Sequence, residues 1–286
     1  MWTRLAGPLA LAVASAIWGG TYVFAGWLLG GGWFTPFGLL FLRLLITFLI
    51  LLPWLKERRL ARAEWPAALG LGGVGFLLSL GAQFVGTAWA GSANGSLITA
   101  TSPAFILLFG ALLLGERLDR SRLIAIGLAS AGVALVIGTG ELWGGDGRAF
   151  WGKLLLASAG LTWGLYTVLA KRFAARHGAL ATTAWACLTG AGFNLPVALW
   201  RGRGALGAGA GNDTIWTGLW SSIGAPLGSW TPTVWLGLFY IAIVSTVVAF
   251  FLWNWGFARM EAGKGAIYFF LQPVIGSFLG WALLGE

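Results

Sequence analysis

Residues 92–116 read SANGSLITATSPAFILLFGALLLGE, and residues 263–286 read GKGAIYFFLQPVIGSFLGWALLGE. In both stretches a proline lies inside an apolar run that ends in Leu-Leu-Gly-Glu. Pro103 and Pro273 each precede the final glutamate by 13 positions, and one shift of 170 residues superposes the two stretches without a gap. The chain therefore contains two copies of one unit.

The composition places these copies in a membrane. Of the 286 residues, 58% are hydrophobic and only 9% are charged, which is too little polar surface to cover a water-soluble protein. A bilayer needs about 20 apolar residues per helix. By that measure the sequence predicts nine spans, at approximately 8–29, 36–55, 66–90, 93–114, 122–139, 151–171, 180–200, 232–257 and 265–284.

The charged residues lie between the spans and predict an orientation. With a cytoplasmic N-terminus, 13 of the 18 Lys and Arg residues fall on the inner side and four on the outer side, with Arg43 inside a span. This bias is the positive-inside pattern, which predicts the orientation. We expect a multi-pass protein of a bacterial-type inner membrane. The net charge of +9 would suit nucleic acid in a soluble protein, but here the expected partners are anionic lipid head groups. We expect a monomer or a weak dimer.

The two copies are predicted to be inverted. Five spans in the first repeat make the second enter the membrane from the opposite side, so that Gly95 and Gly265, or Ala88 and Ala258, face opposite leaflets. We therefore expect an all-α integral membrane protein with repeats at 1–145 and 146–286. By symmetry the second repeat lacks its fifth helix, so ten helices are expected for the fold and nine for this chain.

A second shift relates two tryptophans. Moving the chain by 145 residues places Trp18-Gly19 on Trp163-Gly164, in the middle of the first and sixth spans. A mid-membrane indole N–H needs a hydrogen-bond partner or a wet cavity. The pair therefore indicates an aromatic-lined cavity, and the alternative is ordinary packing between helices.

Arg43 is the one charge predicted to lie deep within a span, where it needs a partner or a wet face. It could bind a substrate carboxylate, or it could be a structural residue that snorkels or bonds backbone freed by a proline. No span contains an acid to neutralise it, which favours a hydroxyl or carbonyl partner such as Ser96, Thr99 or Ser102.

The prolines would each break a helix and free a carbonyl one turn earlier. Such broken helices line transporter sites, although a static kink explains them equally well. The predicted substrate-binding residues are Trp18, Tyr22, Arg43, Gln83, Ser96, Thr99, Trp163, Tyr166, Tyr268 and Gln272, with Pro103 and Pro273 as hinges.

The repeated motifs resemble the drug/metabolite transporter superfamily, specifically its ten-helix EamA-type members, and most of all the YddG-type amino-acid exporters. The resemblance is carried by Trp18-Gly19, Arg43, the run 94–116 and their second-half counterparts. It implies a helical bundle around a central substrate cavity that opens alternately to either side. It also implies export of small metabolites, with aromatic or neutral amino acids as the expected substrates. Export of drugs, cations, nucleosides or sugars by the same superfamily is the alternative.

Other functional classes fit the sequence less well. An intramembrane enzyme needs paired acids, a Ser/His pair or metal ligands in the spans, so we expect no enzyme, no metal and no cofactor. A channel would need a continuous polar pore, and a non-transporting scaffold is the remaining alternative. All nine acidic residues fall in loops or at span ends, so we expect transport driven by the substrate gradient or by exchange, without proton coupling.

Overall fold

The computed structural model describes residues 2–55, 60–117, 120–121, 124, 127–128, 131, 147–205, 225 and 227–284, and among these it contains helices and no strand. The α-helices are α1 (Trp2–Gly30), α2 (Pro36–Leu51), α3 (Trp65–Leu71), α4 (Leu80–Ala90), α5 (Ser92–Thr99), α6 (Ser102–Leu114), α7 (Gly147–His177), α8 (Ala179–Ala205), α9 (Pro232–Phe239), α10 (Ala249–Phe257), α11 (Ala262–Ala266) and α12 (Leu271–Leu284). Short 3₁₀ turns lie at Leu52–Leu55, Arg62–Glu64, Leu227–Ser229 and Ile267–Phe270.

Seven stretches of the described chain are long and apolar enough to cross a bilayer, which makes this a multi-pass membrane protein. They are Leu5–Gly30, Pro36–Leu55, Arg62–Ala90, Asn94–Leu114, Gly147–His177, Pro232–Phe257 and Ala262–Leu283. Helix α8, the predicted seventh span, is outside this apolar set but packs against α2. The predicted fifth span and most of the connection 201–231 lie outside the described residues, so the helix count stays a prediction.

Two local predictions were wrong. The basic stretch 171–178 is not a turn, because α7 continues to His177 and only Gly178, at φ +81°, separates it from α8. Cationic side chains stabilise a helix C-terminus, so the charges extend the helix where we expected them to end it. Arg43 is also not the only buried charge, since Lys153 is buried in the second turn of α7.

The third and eighth spans each contain a π-helical segment, at Gly72–Ser79 and Tyr240–Val248. The shift of 170 carries the first segment to 242–249, almost onto the second. A π-turn changes which side chains face a neighbour and leaves backbone carbonyls open to other donors. The same irregularity therefore occurs at equivalent places in the two halves.

The fourth and ninth spans are broken just before their prolines. In the first half α5 ends at Thr99 and α6 begins at Ser102, with Pro103 in its first turn. In the second half a 3₁₀ turn ends at Phe270 and α12 begins at Leu271. Both breaks coincide under the shift of 170, as expected of a residue that tolerates only the first turn of a helix.

The repeated Leu-Leu-Gly-Glu motif ends α6 with a glycine-based cap. Gly115 has φ +69°, and the N–H groups of Gly115 and Glu116 donate to the carbonyls of Ala111 and Gly110. This is the Schellman arrangement, which requires a residue that tolerates a left-handed backbone. It turns the chain so that Glu116 points at the start of α11.

The shifts of 145 and 170 relate the helix contacts made by one half to those made by the other. Helix α1 packs against α10 and α12, and its counterpart α7 packs against α4 and α6. The π-segment 240–248 packs on α2, and the π-segment 72–79 packs on α8. The two halves therefore exchange equivalent contacts, as a pseudo-twofold arrangement requires.

Close glycine contacts repeat in the same way. A Cβ on Gly19 would lie 2.9 Å from the Cβ of Ile275, and a Cβ on Gly164 would lie 2.5 Å from the Cβ of Phe105. The shift of 145 carries Gly19 to Gly164, and the shift of 170 carries Phe105 to Ile275, so the two contacts are equivalent. Glycine is required at both positions because the facing helix leaves no space for a methyl group.

The contacts of α1 indicate the inversion. Gly95 packs against Tyr22, whereas its mate Gly265 packs against Leu11. These positions on α1 are about 16 Å apart at the helical rise per residue. The two equivalent glycines therefore lie towards opposite ends of the same helix, as inverted repeats require.

Candidate functional site

A small cavity lies where the two halves meet, with a volume of about 20 Å³, room for about one water molecule. Its lining comes from both repeats: Trp18, Thr21, Arg43, Leu80, Gln83, Thr99, Ser102, Ala159, Trp163, Phe250, Phe269 and Gln272. We call this the central cavity. It contains six of the ten predicted binding residues, namely Trp18, Arg43, Gln83, Thr99, Trp163 and Gln272.

Aromatic rings form one wall of the central cavity. Trp18 and Trp163 meet edge to face, with ring centroids 5.2 Å apart and planes at 88°. Phe250 lies 5.2 Å from Trp18 and 5.6 Å from Trp163, and Trp253 lies 4.9 Å from Trp18. The two tryptophans both line the cavity, and their rings touch each other.

The two indole N–H groups are treated differently. Trp18 Nε1 donates to the carbonyl of Ser245 at 3.0 Å, within the second π-segment. Trp163 Nε1 is buried and has no hydrogen-bond partner among the described residues. The symmetry of the rings therefore does not extend to their hydrogen bonds.

Arg43 is buried, with 1% of its surface exposed. Its Nε donates to Thr246 Oγ1 at 2.8 Å and its Nη2 to Ser245 Oγ at 3.3 Å. The guanidinium carbon lies 5.5 Å from the ring centre of Phe84. The hydroxyl partners are of the predicted kind, but they come from the eighth span and not from the fourth.

The remaining predicted residues lie outside the cavity lining. The Tyr22 hydroxyl is 2.5 Å from Thr99 Oγ1, so it is one side chain removed from the cavity. Tyr166 packs behind Trp163, with ring centroids 4.9 Å apart. Ser96 is buried beside Gly276, and Tyr268 is half-buried against the apolar core.

The hinge prolines lie next to cavity residues. Pro103 cannot donate a hydrogen bond to the carbonyl of Thr99, one turn earlier. The hydroxyl of Ser102 donates to that carbonyl instead, at 2.7 Å. Pro273 follows Gln272, so each helix break positions one polar side chain at the cavity.

Sequence reasoning missed several lining residues that the repeat itself could have identified. The shift of 170 pairs Leu80 with Phe250, Thr99 with Phe269, and Ser102 with Gln272, and every member lines the cavity. Applying the shift to Thr99 would have pointed to Phe269. In two of the pairs one half supplies an aromatic ring where the other supplies an aliphatic or hydroxyl group.

Three buried polar atoms around the central cavity have no hydrogen-bond partner within the described part of the chain. They are Arg43 Nη1, Trp163 Nε1 and Gln272 Oε1. Buried polar atoms are normally paired, so each such atom needs an explanation. Two of these atoms are donors and one is an acceptor.

None of the described residues that line the cavity is acidic. Across the described residues, no group of three or more His, Cys, Asp or Glu side chains could hold a metal ion. The chemistry of the site is therefore that of hydrogen bonding, one fixed positive charge and aromatic contact.

A membrane bundle of two paired halves, with broken helices and a polar cavity at their junction, has the architecture of a solute transporter. The model of the EamA-like transporter family matches residues 5–138 and 150–286. The chain belongs to this family. The two matched segments correspond to the two halves, as expected of a duplicated unit.

Relatives and a solved structure agree with this assignment. An uncharacterized transporter of Archaeoglobus fulgidus is 28% identical over 97% of this chain and 89% of its own length. A protein of Streptantibioticus cattleyicolor, named a probable terminal-alkyne amino-acid exporter, is 26% identical over 67% of this chain and 56% of its own length. A crystal structure covers 98% of this chain and 88% of its own with a TM-score of 0.66 at 21% identity, which supports the fold alone.

Proposed function

We propose that this protein exports amino acids or closely related metabolites by alternating access, and that the central cavity is the substrate site. The observation that carries the proposal is the set of three unpartnered atoms. Arg43 Nη1 and Trp163 Nε1 are donors suited to a carboxylate, and Gln272 Oε1 is an acceptor suited to an ammonium group. A zwitterionic amino acid supplies both groups.

The aromatic wall supports a substrate with an aromatic or neutral side chain. Trp18, Trp163, Phe250 and Phe269 offer faces and edges for stacking on such a side chain. The relative named as an amino-acid exporter supports the same substrate class. Aromatic rings also attract cations, so export of cationic drugs is the second candidate. The permanent charge of Arg43 opposes that alternative.

Alternating access would use the features that the two halves share. A cavity of about 20 Å³ is too small for an amino acid, so the junction between the two halves must widen on one side before the substrate enters. The broken helices α5–α6 and α11–α12, together with the π-segments, are places where a helix can bend. Close glycine contacts between α1 and α12 and between α7 and α6 would let the halves rock.

The absence of an acid from the cavity lining supports transport without proton coupling, driven by the substrate gradient or by exchange. The proposal also keeps the division into repeats at 1–145 and 146–286. We further propose an inner-membrane location with a cytoplasmic N-terminus, and a monomer or weak dimer, as the sequence indicates.

The test is a counterflow assay with the purified chain in liposomes. Vesicles loaded with unlabelled L-phenylalanine should accumulate radiolabelled L-phenylalanine transiently and saturably. Phenylalaninamide lacks the carboxylate, and 3-phenylpropionate lacks the amine, so both should compete weakly. Non-saturating flux would indicate a channel, no flux would indicate a scaffold, and stronger competition by the amide would favour the cationic-drug alternative.

Matched substitutions separate the two ends of the substrate. Arg43→Gln should abolish the preference for phenylalanine over its amide, because the fixed charge for the carboxylate is lost. Gln272→Met should reduce the preference for phenylalanine over 3-phenylpropionate, because the acceptor for the ammonium group is lost. An unchanged preference in both variants would contradict this assignment of the cavity. An imposed pH gradient that alone drives uphill accumulation would contradict the uncoupled mechanism.

A further inference from the structure

A second and larger cavity lies at one end of the bundle, with a volume of about 730 Å³. Residues 63–71, from the 3₁₀ turn and α3, form one wall, and the last turns of α7 form the other. We call it the end groove. It is separate from the central cavity, because the two share no lining residue.

The polar rim of the end groove carries a net positive charge. Arg172 and Arg176 are four residues apart and therefore on the same face of α7, and both are exposed. His177 Nε2 lies 3.1 Å from Glu64 Oε1, and this contact connects the two walls. Glu64 is the one acid among the described lining residues, so the two arginines outnumber it, and their forks of N–H donors match a phosphate.

The walls below this rim are apolar. Pro66 and Ala67 are exposed on α3, and Leu169 and Phe173 lie opposite on α7. Gly70 also lines the groove, and a Cβ at this position would meet nothing within 4 Å. The groove therefore combines a cationic rim with an apolar floor, and it lies at the ends of two membrane-spanning helices.

We propose that the end groove binds an anionic phospholipid. The phosphate lies between Arg172 and Arg176, and an acyl chain runs along the apolar walls of α3 and α7. The sequence places this end of the bundle on the cytoplasmic side, where basic pockets between helices meet anionic lipid. A soluble phosphate would use the rim but leave the apolar walls without a ligand.

The test measures lipid retained by the full chain. The chain is purified in a neutral detergent and titrated with phosphatidylglycerol or phosphatidylcholine, and bound lipid is counted by native mass spectrometry. Wild-type protein should prefer phosphatidylglycerol, and Arg172→Gln/Arg176→Gln should lower that affinity roughly 10- to 30-fold. The matched control Arg259→Gln/Lys264→Gln removes the same charge from the same end of the bundle. It should change the affinity for phosphatidylglycerol less than about twofold. An equal loss in both double variants would overturn the proposal, because it would show general charge attraction.

A second variant keeps both arginines. Gly70→Leu should fold well, because leucine favours helix more than glycine and the space is open. The leucine fills the floor of the groove and should lower phosphatidylglycerol affinity at unchanged charge. If Gly70→Leu binds lipid like wild type, or if inorganic phosphate displaces phosphatidylglycerol at equal concentration, the groove is not a lipid site. This variant decides the question even if the double arginine variant does not fold.

Discussion

Trp18 and Trp163 are equivalent residues of the two repeats, and their indole rings meet edge to face 5.2 Å apart at the centre of the molecule. The same residue from each half thus meets at the junction between the halves. The proposed alternating-access mechanism predicts that these rings separate during transport. The pair also offers a test in which two equivalent substitutions have different expected outcomes.

Replacing each tryptophan by phenylalanine keeps a ring and removes the N–H. Trp18→Phe leaves the carbonyl of Ser245 without its donor and should lower the free energy of unfolding by about 1–3 kcal/mol. Trp163→Phe removes a buried N–H that has no partner among the described residues, so it should lose less stability than Trp18→Phe. Thermal unfolding in detergent measures both. A larger loss in Trp163→Phe would contradict the hydrogen-bond assignment.

The glycine contacts give a second pair of equivalent positions, and here the two expected effects are equal. Gly19→Ala and Gly164→Ala each introduce a methyl group into a space closed by the facing helix, and each should destabilise the protein by about 1–3 kcal/mol. Gly192→Ala, at an exposed helical position with open space, is the control and should be neutral or stabilising by about 0.5–1 kcal/mol. Chemical unfolding compares the three. Tolerance of alanine at position 164 would contradict the close packing of α7 on α6.

Glu116 joins three helix ends and gives the fold a dependence on pH. Its carboxylate accepts hydrogen bonds from the N–H groups of Ala262 at 2.7 Å and Gly263 at 3.0 Å, and from Lys171 Nζ at 3.0 Å. Burial opposes ionisation, but these three donors outweigh it and hold the pKa of Glu116 below its ordinary value. The carboxylate therefore stabilises the fold above the pKa of the unfolded chain, about 4.3, and this contribution is lost as the pH falls through the folded pKa.

The corresponding substitution is Glu116→Gln. It should lower the free energy of unfolding by about 1 kcal/mol near neutral pH, and the difference from wild type should shrink in acid and vanish once the pH is below the folded pKa of Glu116. Glu261→Gln is the control, because Glu261 pairs with Lys264 at an exposed site where an ion pair contributes little. A Glu116→Gln effect that persists unchanged in acid would contradict the role of the carboxylate charge.

Much of the fold could be predicted because the repeat signal is independent of any single residue. The two shifts relate the spans, the proline breaks and the packing partners, and composition alone requires a membrane. The π-segments could not be predicted, because one extra residue per turn does not alter the length or the hydropathy of a span. It alters only which residues face inward, as at Ser245 and Thr246, which bind Arg43.

Only some residues of the candidate site could be predicted, because only polar residues stand out within an apolar span. Residues such as Arg43 and Gln272 stand out because polar groups in a span are costly. Phe250 and Phe269 do not stand out among 19 phenylalanines, and only their repeat partners Leu80 and Thr99 identify them. Tyr268 was selected as a polar residue near a proline, but its side chain packs against the core and not into the cavity.

The inversion of the two halves is tested most directly by labelling Ala88→Cys and Ala258→Cys, each in a Cys187→Ala background. The two alanines are related by the shift of 170 and both are exposed near span ends. A membrane-impermeant maleimide applied to intact cells should label Ala88→Cys, and it should label Ala258→Cys only after permeabilisation. Labelling of both cysteines from the same side would contradict the inverted repeat, and with it the central cavity as a passage between the halves.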